Sequence, residues 1–297
     1  MATRDRPELL RRAVSAVLAQ DYPGEVECVV VFDQSDPEPL EVSVPQGRSV
    51  RIIGNHRPAG LAGARNAGIT TAEGDLVAFC DDDDEWLPGK LRAQVELLLA
   101  EPDCSVVTTG IYVNNHDTDI DIERLAPQRP LVLADFLRDR IMEVHPSTYL
   151  MRRAALLDDI GLVDEAVPGS YGEDYEWILR AAKYGPVRSV PAPLVRINWT
   201  TSSFFAARWH TIASGLRYVL DSHPEFAGER RGSARIQGQI AFAHAALGEW
   251  REALRWCRQA AVSSAIEPRV YLAVLVVLRL VTAQQVVDVL QRRGRGI

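Results

Sequence analysis

The chain has 297 residues, 47% of them hydrophobic and 25% charged, and a formal net charge of −7. That is globular composition, with length for one large domain and an appendage, or for two domains. The acidic balance gives no support to a nucleic-acid partner. The longest apolar run, Val270 to Leu278, is far shorter than the ~20 residues of a membrane-spanning helix.

Cys28, Cys80, Cys104 and Cys257 are widely spaced and match no metal-binding pattern. They read as buried free thiols in a reducing compartment. The start of the chain has no signal-peptide pattern, so the expected location is cytoplasmic, with a membrane-peripheral position left open.

Residues 5–19 read as a helix with Leu10, Ala13, Val14 and Val17 buried. Asp5 and Glu8 stand at capping-box spacing, and Pro7 falls in the first turn. Val26 to Phe32 reads as a strand buried on both faces and ending at Asp33. Val50 to Ile53 is a short strand. In Gly60 to Gly68, small residues recur at i, i+4 around one cation, Arg65. Glycine costs up to about 1 kcal/mol in a helix, so close backbone approach is the expected compensation. Plain packing with Arg65 in solvent is the alternative.

Leu76 to Cys80 is an apolar strand followed by Asp81, Asp82, Asp83, Asp84 and Glu85. Pro88 opens a helix with Leu91, Val95, Leu98 and Leu99 on one face. Carboxylates at a strand end occupy the place where open α/β sheets bind ligands. Two readings stand: a divalent cation shared with phosphate oxygens, or a helix cap by Asp83 or Asp84. A cap needs one acid of the five, which favours the cation.

Ser105 to Val113 reads as a strand, 114–130 as a loop, 131–138 as a short helix, and 145–151 as a strand entered through a turn, where a lone His145 is more often structural. Glu173 and Asp174 open a helix stopped by Gly185-Pro186. They serve either the helix dipole or proton transfer. Residues 187–197 read as extended and 196–203 as a lid or acceptor loop. The rest is helical. Its 243–254 stretch resembles one tetratricopeptide unit, which reads as an appended hairpin. A last helix, Val270 to Leu290, precedes Arg292, Arg293 and Arg295. Docking on the core, on a second copy, or at a membrane surface stays open for it.

Arg6-Pro7-Glu8-Leu9-Leu10, Asp33-Gln34-Ser35, Gly60 to Gly68, Asp81 to Pro88 and Glu173-Asp174 follow in an order that resembles family 2 glycosyltransferases over roughly residues 2–205. The resemblance implies an α/β fold of the GT-A (Rossmann-like) type: a mixed sheet flanked by helices, with a C-terminal helical appendage. It implies a metal-dependent inverting transfer of one sugar from a nucleotide-diphosphate sugar to an acceptor hydroxyl, with Mg²⁺ or Mn²⁺. By position, Asp33 resembles the base-binding acid, and Arg65 the base- or diphosphate-contacting arginine. Asp81 resembles the ribose-side acid, Asp83 the metal ligand, and Asp174 the catalytic base beside Glu173. Thr3, Arg4 and Asp82 complete the expected donor set. The implied division is 1–105 for the nucleotide-sugar half, 106–205 for the acceptor half, and 206–297 for the helical extension.

Two departures accompany the resemblance. The chain begins within the family's opening string, as Ala2-Thr3-Arg4-Asp5-Arg6, so the first strand is expected to be missing and the sheet to show a gap or an exposed apolar edge. Arg4 replaces a base-stacking tyrosine, although a guanidinium plane also stacks. Phe205-Ala206-Ala207-Arg208-Trp209 lacks the glutamine of sugar-polymerising members, and a single transfer is expected. A non-catalytic nucleotide-sugar binder, or a degenerate remnant, is the second reading. A nucleotidyltransferase, the third, would want an N-terminal Gly-rich phosphate loop.

Overall fold

A computed structural model describes residues 1–115, 120–199 and 208–292. It divides into two compact units. The first comprises Met1–Leu133, Ile141–Glu165 and Glu176–Thr201. The second comprises Ala134–Arg140, Ala166–Tyr175 and Ser202–Ile297.

In the first unit, β1 (Ala2–Thr3), α1 (Pro7–Leu18), β2 (Val26–Phe32), β3 (Arg48–Gly54) and α2 (Leu61–Thr71) form the opening layer. Strands β1, β2 and β3 are parallel neighbours in one sheet. A two-residue strand thus stands where the sequence reading leaves a vacancy, with Ala2 opposite Val31 and Thr3 opposite Phe32. Leu10, Ala13, Val14 and Val17 are buried as their spacing predicts. The Asp5–Glu8 capping box does not form. Arg6 is the N-cap, and among the described residues its side chain makes no hydrogen bond that caps the helix; Asp5 adopts φ 53°.

Helix α2 shows why its small residues are there. A Cβ on Gly63 would lie 1.9 Å from the Pro58 carbonyl oxygen. Ala64 and Ala67 pack on Val29 and Val31 of β2.

Next come β4 (Leu76–Ala78), β5 (Glu85–Trp86), α3 (Lys90–Ala100), β6 (Val106–Asn115) and β7 (Ile120–Arg124). Helix α4 (Leu133–Arg138), which from Ala134 belongs to the second unit, β8 (Leu150–Arg152), α5 (Glu173–Tyr184), of which Glu173 to Tyr175 belong to the second unit, and β9 (Val187–Trp199) follow. The second sheet runs β4-β8-β6-β9-β5, with β7 paired to β6. The stretch read as a loop at 114–130 therefore contains half of a β-hairpin, and residues 116–119 lie outside the described set. Pro191 and Pro193, which lack N–H groups, lie where the β6–β9 register shifts beside Gly110.

Neither Asp83 nor Asp84 caps α3. Gly89 in the left-handed conformation is its N-cap, and Gln20 Oε1 accepts from Leu91 N–H at 3.2 Å. Of the expected face, Leu91 and Leu98 are buried, while Leu99 is exposed and Gln94 takes an inward position. Gln94 donates to the carbonyls of Val107 and Thr148 and accepts from Lys90 Nζ at 2.6 Å.

Lys90 is fully buried, 3.8 Å from the centre of the Trp86 ring. Burial lowers its pKa from 10.5 to about 7. Between those values the unfolded chain holds one more proton, so stability rises with pH there by about 1.4 kcal/mol per unit. Lys90→Met removes that slope, and the variant gains on the wild type at pH 6.5 relative to pH 9 in urea melts. Parallel pH profiles for the two proteins would contradict the assignment.

The second unit holds α6 (Trp209–Ser222), α7 (Arg230–Ala246), α8 (Trp250–Ser263), α9 (Pro268–Val277) and α10 (Ala283–Arg292). Helices α7 and α8 form the expected hairpin, turning through Gly248 at φ 78°. The expected continuous helix from Val270 to Leu290 is broken. Arg279 takes φ 59°, and Thr282 and Gln285 form a reciprocal capping box that starts α10. Among the described residues no helix is long and apolar enough to cross a membrane. All four cysteines are free and buried.

Candidate active site

Strand β4 delivers the acidic run into a tight turn closed by Asp84 N–H donating to the Asp81 carbonyl at 3.2 Å. Five side chains hold the turn, those of Arg65, Thr3, Arg6, Ser147 and Asn198. Arg65 Nη2, from the buried α2 surface, meets Asp81 Oδ1 at 2.7 Å. Thr3 Oγ1 donates to Asp82 Oδ2 at 2.7 Å, and Arg6 bridges Asp82 Oδ1 at 2.8 Å and Asp83 Oδ2 at 2.5 Å. Ser147 Oγ accepts from Asp81 N–H at 3.0 Å and donates to Asp84 Oδ2 at 2.5 Å. Asn198 Nδ2 donates to the Asp83 carbonyl at 2.5 Å. The alternative reading of Arg65 as a solvent-facing residue is overturned by its burial and its pairing with Asp81.

The electrostatics follow from crowding. Burial, the Asp81 charge and the Asp83 charge push the Asp84 carboxyl well above its usual range. Burial raises Asp82 to about 6, against Arg6 and Thr3. Asp81 stays below its ordinary value: burial alone would raise it, but Arg65 and His145 outweigh that. Asp81, Asp84 and His145 each bring a ligand atom within 4.8 Å of the others. Two carboxylates and an imidazole fit a divalent cation, and Mn²⁺ better than Mg²⁺, which favours an all-oxygen shell. Asp83, the expected metal ligand, is not in that trio; its carboxylate pairs with Arg6.

Asp33 lies at the end of β2 and is tied to the acidic turn through one residue. Its N–H donates to the Thr3 carbonyl at 2.9 Å, while the Thr3 hydroxyl holds Asp82. Its carboxylate accepts from Asn55 Nδ2, Gln34 Nε2 and Gly60 N–H at 2.8–3.1 Å. Burial would raise its pKa, and these bonds bring it below the ordinary value. Gly60 supplies its amide at φ 127°, a conformation that other residues rarely adopt. The loop is pinned from behind: Glu165 pairs with Arg57 and accepts from Asn66 Nδ2 at 2.7 Å. Arg4, expected at the base, pairs with Asp5 at 3.6 Å.

In the second unit, Glu173 and Asp174 occupy the first turn of α5. Glu173 is buried, and Asp174 Oδ2 meets Arg140 Nη2 at 2.6 Å. The Asp174 charge is the chief cause of the raised Arg140 pKa.

The family model for glycosyl transferase family 2 matches residues 1–161. The chain belongs to that family. A relative within reach is an uncharacterized glycosyltransferase of Bacillus subtilis strain 168, YwdF, 28% identical over 174 residues. That alignment covers 57% of this chain and 62% of the relative, so the chain spans about three fifths of that protein. Among solved structures, residues 1–349 of S. aureus TarS in complex with UDP-GlcNAc superpose with a TM-score of 0.61 at 16% identity, over 99% of this chain and 90% of TarS 1–349. Mannosyltransferase PcManGT from Pyrobaculum calidifontis, in complex with GDP-Man and Mn²⁺, does so with a TM-score of 0.54 at 18% identity, over 94% of this chain and 79% of that one. At such identities the likeness establishes the fold, which is GT-A.

For this family 2 chain the structure brings Thr3, Asp33, Arg65, Asp81, Asp82 and Asp83 into one hydrogen-bonded assembly in the first unit. Arg65 joins it through Asp81, and Asp81 joins it through the turn it closes with Asp84. Sequence reading missed Arg6, Asn55, Ser147 and Asn198. Ser147 had no local signal, since its partners lie 63 and 66 positions away. Arg6 lay in a stretch read as a helix start, and its reach across to the acids has no periodicity. Of the expected acceptor loop 196–203, residues 200–203 lie outside the described set. Arg196 pairs with Glu85 and Asp121.

Proposed function

We propose that the protein moves one sugar from a nucleotide-diphosphate sugar to an acceptor hydroxyl, with inversion, using Mn²⁺ or Mg²⁺. The observation that carries this is the acidic turn joined to Asp33 through Thr3. Asp33 and the Gly60 loop face the nucleotide base, and Asp81 and Arg65 face the ribose and diphosphate. The residues that would hold the cation are Asp81, Asp84 and His145, to which the family resemblance adds Asp83. When bound, the cation neutralises charge on the departing diphosphate.

Asp174 accepts the proton of the acceptor hydroxyl. That oxygen bonds to the anomeric carbon as the carbon–oxygen bond to the diphosphate breaks. A single displacement inverts the centre and needs no nucleophilic side chain. Residues 1–105 serve the donor, 106–205 the acceptor, and 206–297 are the helical extension. A cytoplasmic location, peripheral to a membrane or not, fits this role.

Calorimetry with UDP-, GDP- and dTDP-sugars, with and without Mn²⁺, tests the donor side. One donor binds at least ~10-fold tighter with Mn²⁺. Asp83→Asn and Asp84→Asn then assign the ligand: the true ligand's variant loses the Mn²⁺ enhancement and the other keeps it. Equal binding with and without Mn²⁺ contradicts the metal assignment.

The second reading is a binder that does not turn over. It draws on the pairing of Asp83 with Arg6 and of Asp174 with Arg140. Donor binding without release of nucleoside diphosphate would favour it.

A further inference from the structure

We infer that Arg140 is a positioning residue that sets both the orientation and the acidity of the Asp174 carboxylate. The inference rests on the reading of Asp174 as the base. Arg140 follows α4 and reaches the first turn of α5, where its Nη2 lies 2.6 Å from Asp174 Oδ2. The contact joins two segments 34 positions apart, and Asp174 is largely buried there. A guanidinium fixes a carboxylate's plane as well as its charge.

Among the described residues, the pair has charged and titratable neighbours in the second unit. Glu173 and Tyr175 come from α5, Tyr171 from the preceding turn, Asp139 from beside Arg140, and Arg235 from α7. Tyr175 is itself held: its hydroxyl donates to the Phe136 carbonyl at 2.6 Å and accepts from Arg235 at 2.8 Å. The Arg140 guanidinium carbon lies 6.0 Å from the Tyr175 ring centre. Arg140 is the cation in direct contact with the Asp174 carboxylate, and a contacting cation favours a carboxylate's ionised form.

The reaction gives a readout that a merely structural role would not move. The probe is release of nucleoside diphosphate from whichever of UDP-glucose, UDP-N-acetylglucosamine, GDP-mannose or dTDP-glucose turns over in Mn²⁺. Losing a contacting cation raises a carboxyl pKa by about one to three units. Arg140→Gln therefore moves the acid limb of the kcat profile upward by that amount. The variant loses most at the acid end of the profile, recovers towards the wild type at pH 9, and keeps its donor KM. Arg140→Lys retains the charge and holds the limb within about half a unit of its original position.

A uniform loss at every pH overturns the inference, and so does a limb that moves equally in the Lys and Gln variants. Asp174→Asn keeps the two failures apart. If it stays active, the base reading fails. If it is inactive and the Arg140→Gln profile is unshifted, only the role of Arg140 fails.

Discussion

Asp174→Asn is expected to leave donor affinity unchanged and to cut nucleoside diphosphate release by roughly 10²–10⁴-fold, the usual contribution of a positioned general base. The substitution preserves shape and removes the proton acceptor. It also removes the charge that faces Arg140 at 2.6 Å, so some loss of stability accompanies it. Donor calorimetry separates the two effects: a folded variant binds donor as the wild type does. Activity within a few-fold of the wild type would remove Asp174 from the mechanism.

Gly63→Ala is expected to be the most damaging single-methyl change in the first unit. Its Cβ would sit 1.9 Å from the Pro58 backbone oxygen, and backbone cannot rotate away as a side chain can. The loop carrying Asn55 and Gly60 has to shift, and with it the hydrogen bonds that hold Asp33. Overpacking of this kind costs about 2–4 kcal/mol, or roughly 5–10 °C in Tm, and weakens donor binding with it. Gly68→Ala on the same helix is the control. Its Cβ would meet only Val31 Cγ2, at 3.3 Å, and alanine's helix propensity offsets that by up to about 1 kcal/mol. Equal melting temperatures for the two variants would contradict the close-approach account of α2.

The contrast between these glycines shows what could be read in advance. The i, i+4 spacing from Gly60 to Gly68 announced a backbone close to something, and the apolar run Val26 to Phe32 announced a buried strand; both hold. Local pattern failed where a distant group does the local work. The cap of α3 comes from Gln20, not from the adjacent acids. Ser147 orders the acidic turn from another part of the chain. The break in the last helix was legible in part. Thr282 and Gln285 have capping-box spacing, but the apolar period running through them masked it. His145 was discounted because a lone histidine carries little information, and its approach to Asp81 and Asp84 exists only in three dimensions.

In the proposed function, a turn of crowded acids, tied to Asp33, handles a nucleotide-diphosphate sugar with a divalent cation while Asp174 takes the proton. The measurement is nucleoside diphosphate release from a donor panel in Mn²⁺, repeated with excess EDTA. Turnover of at least one donor is expected, abolished by EDTA and restored by added Mn²⁺. Donor that binds in Mn²⁺ yet is never turned over, or turnover indifferent to EDTA, would contradict it.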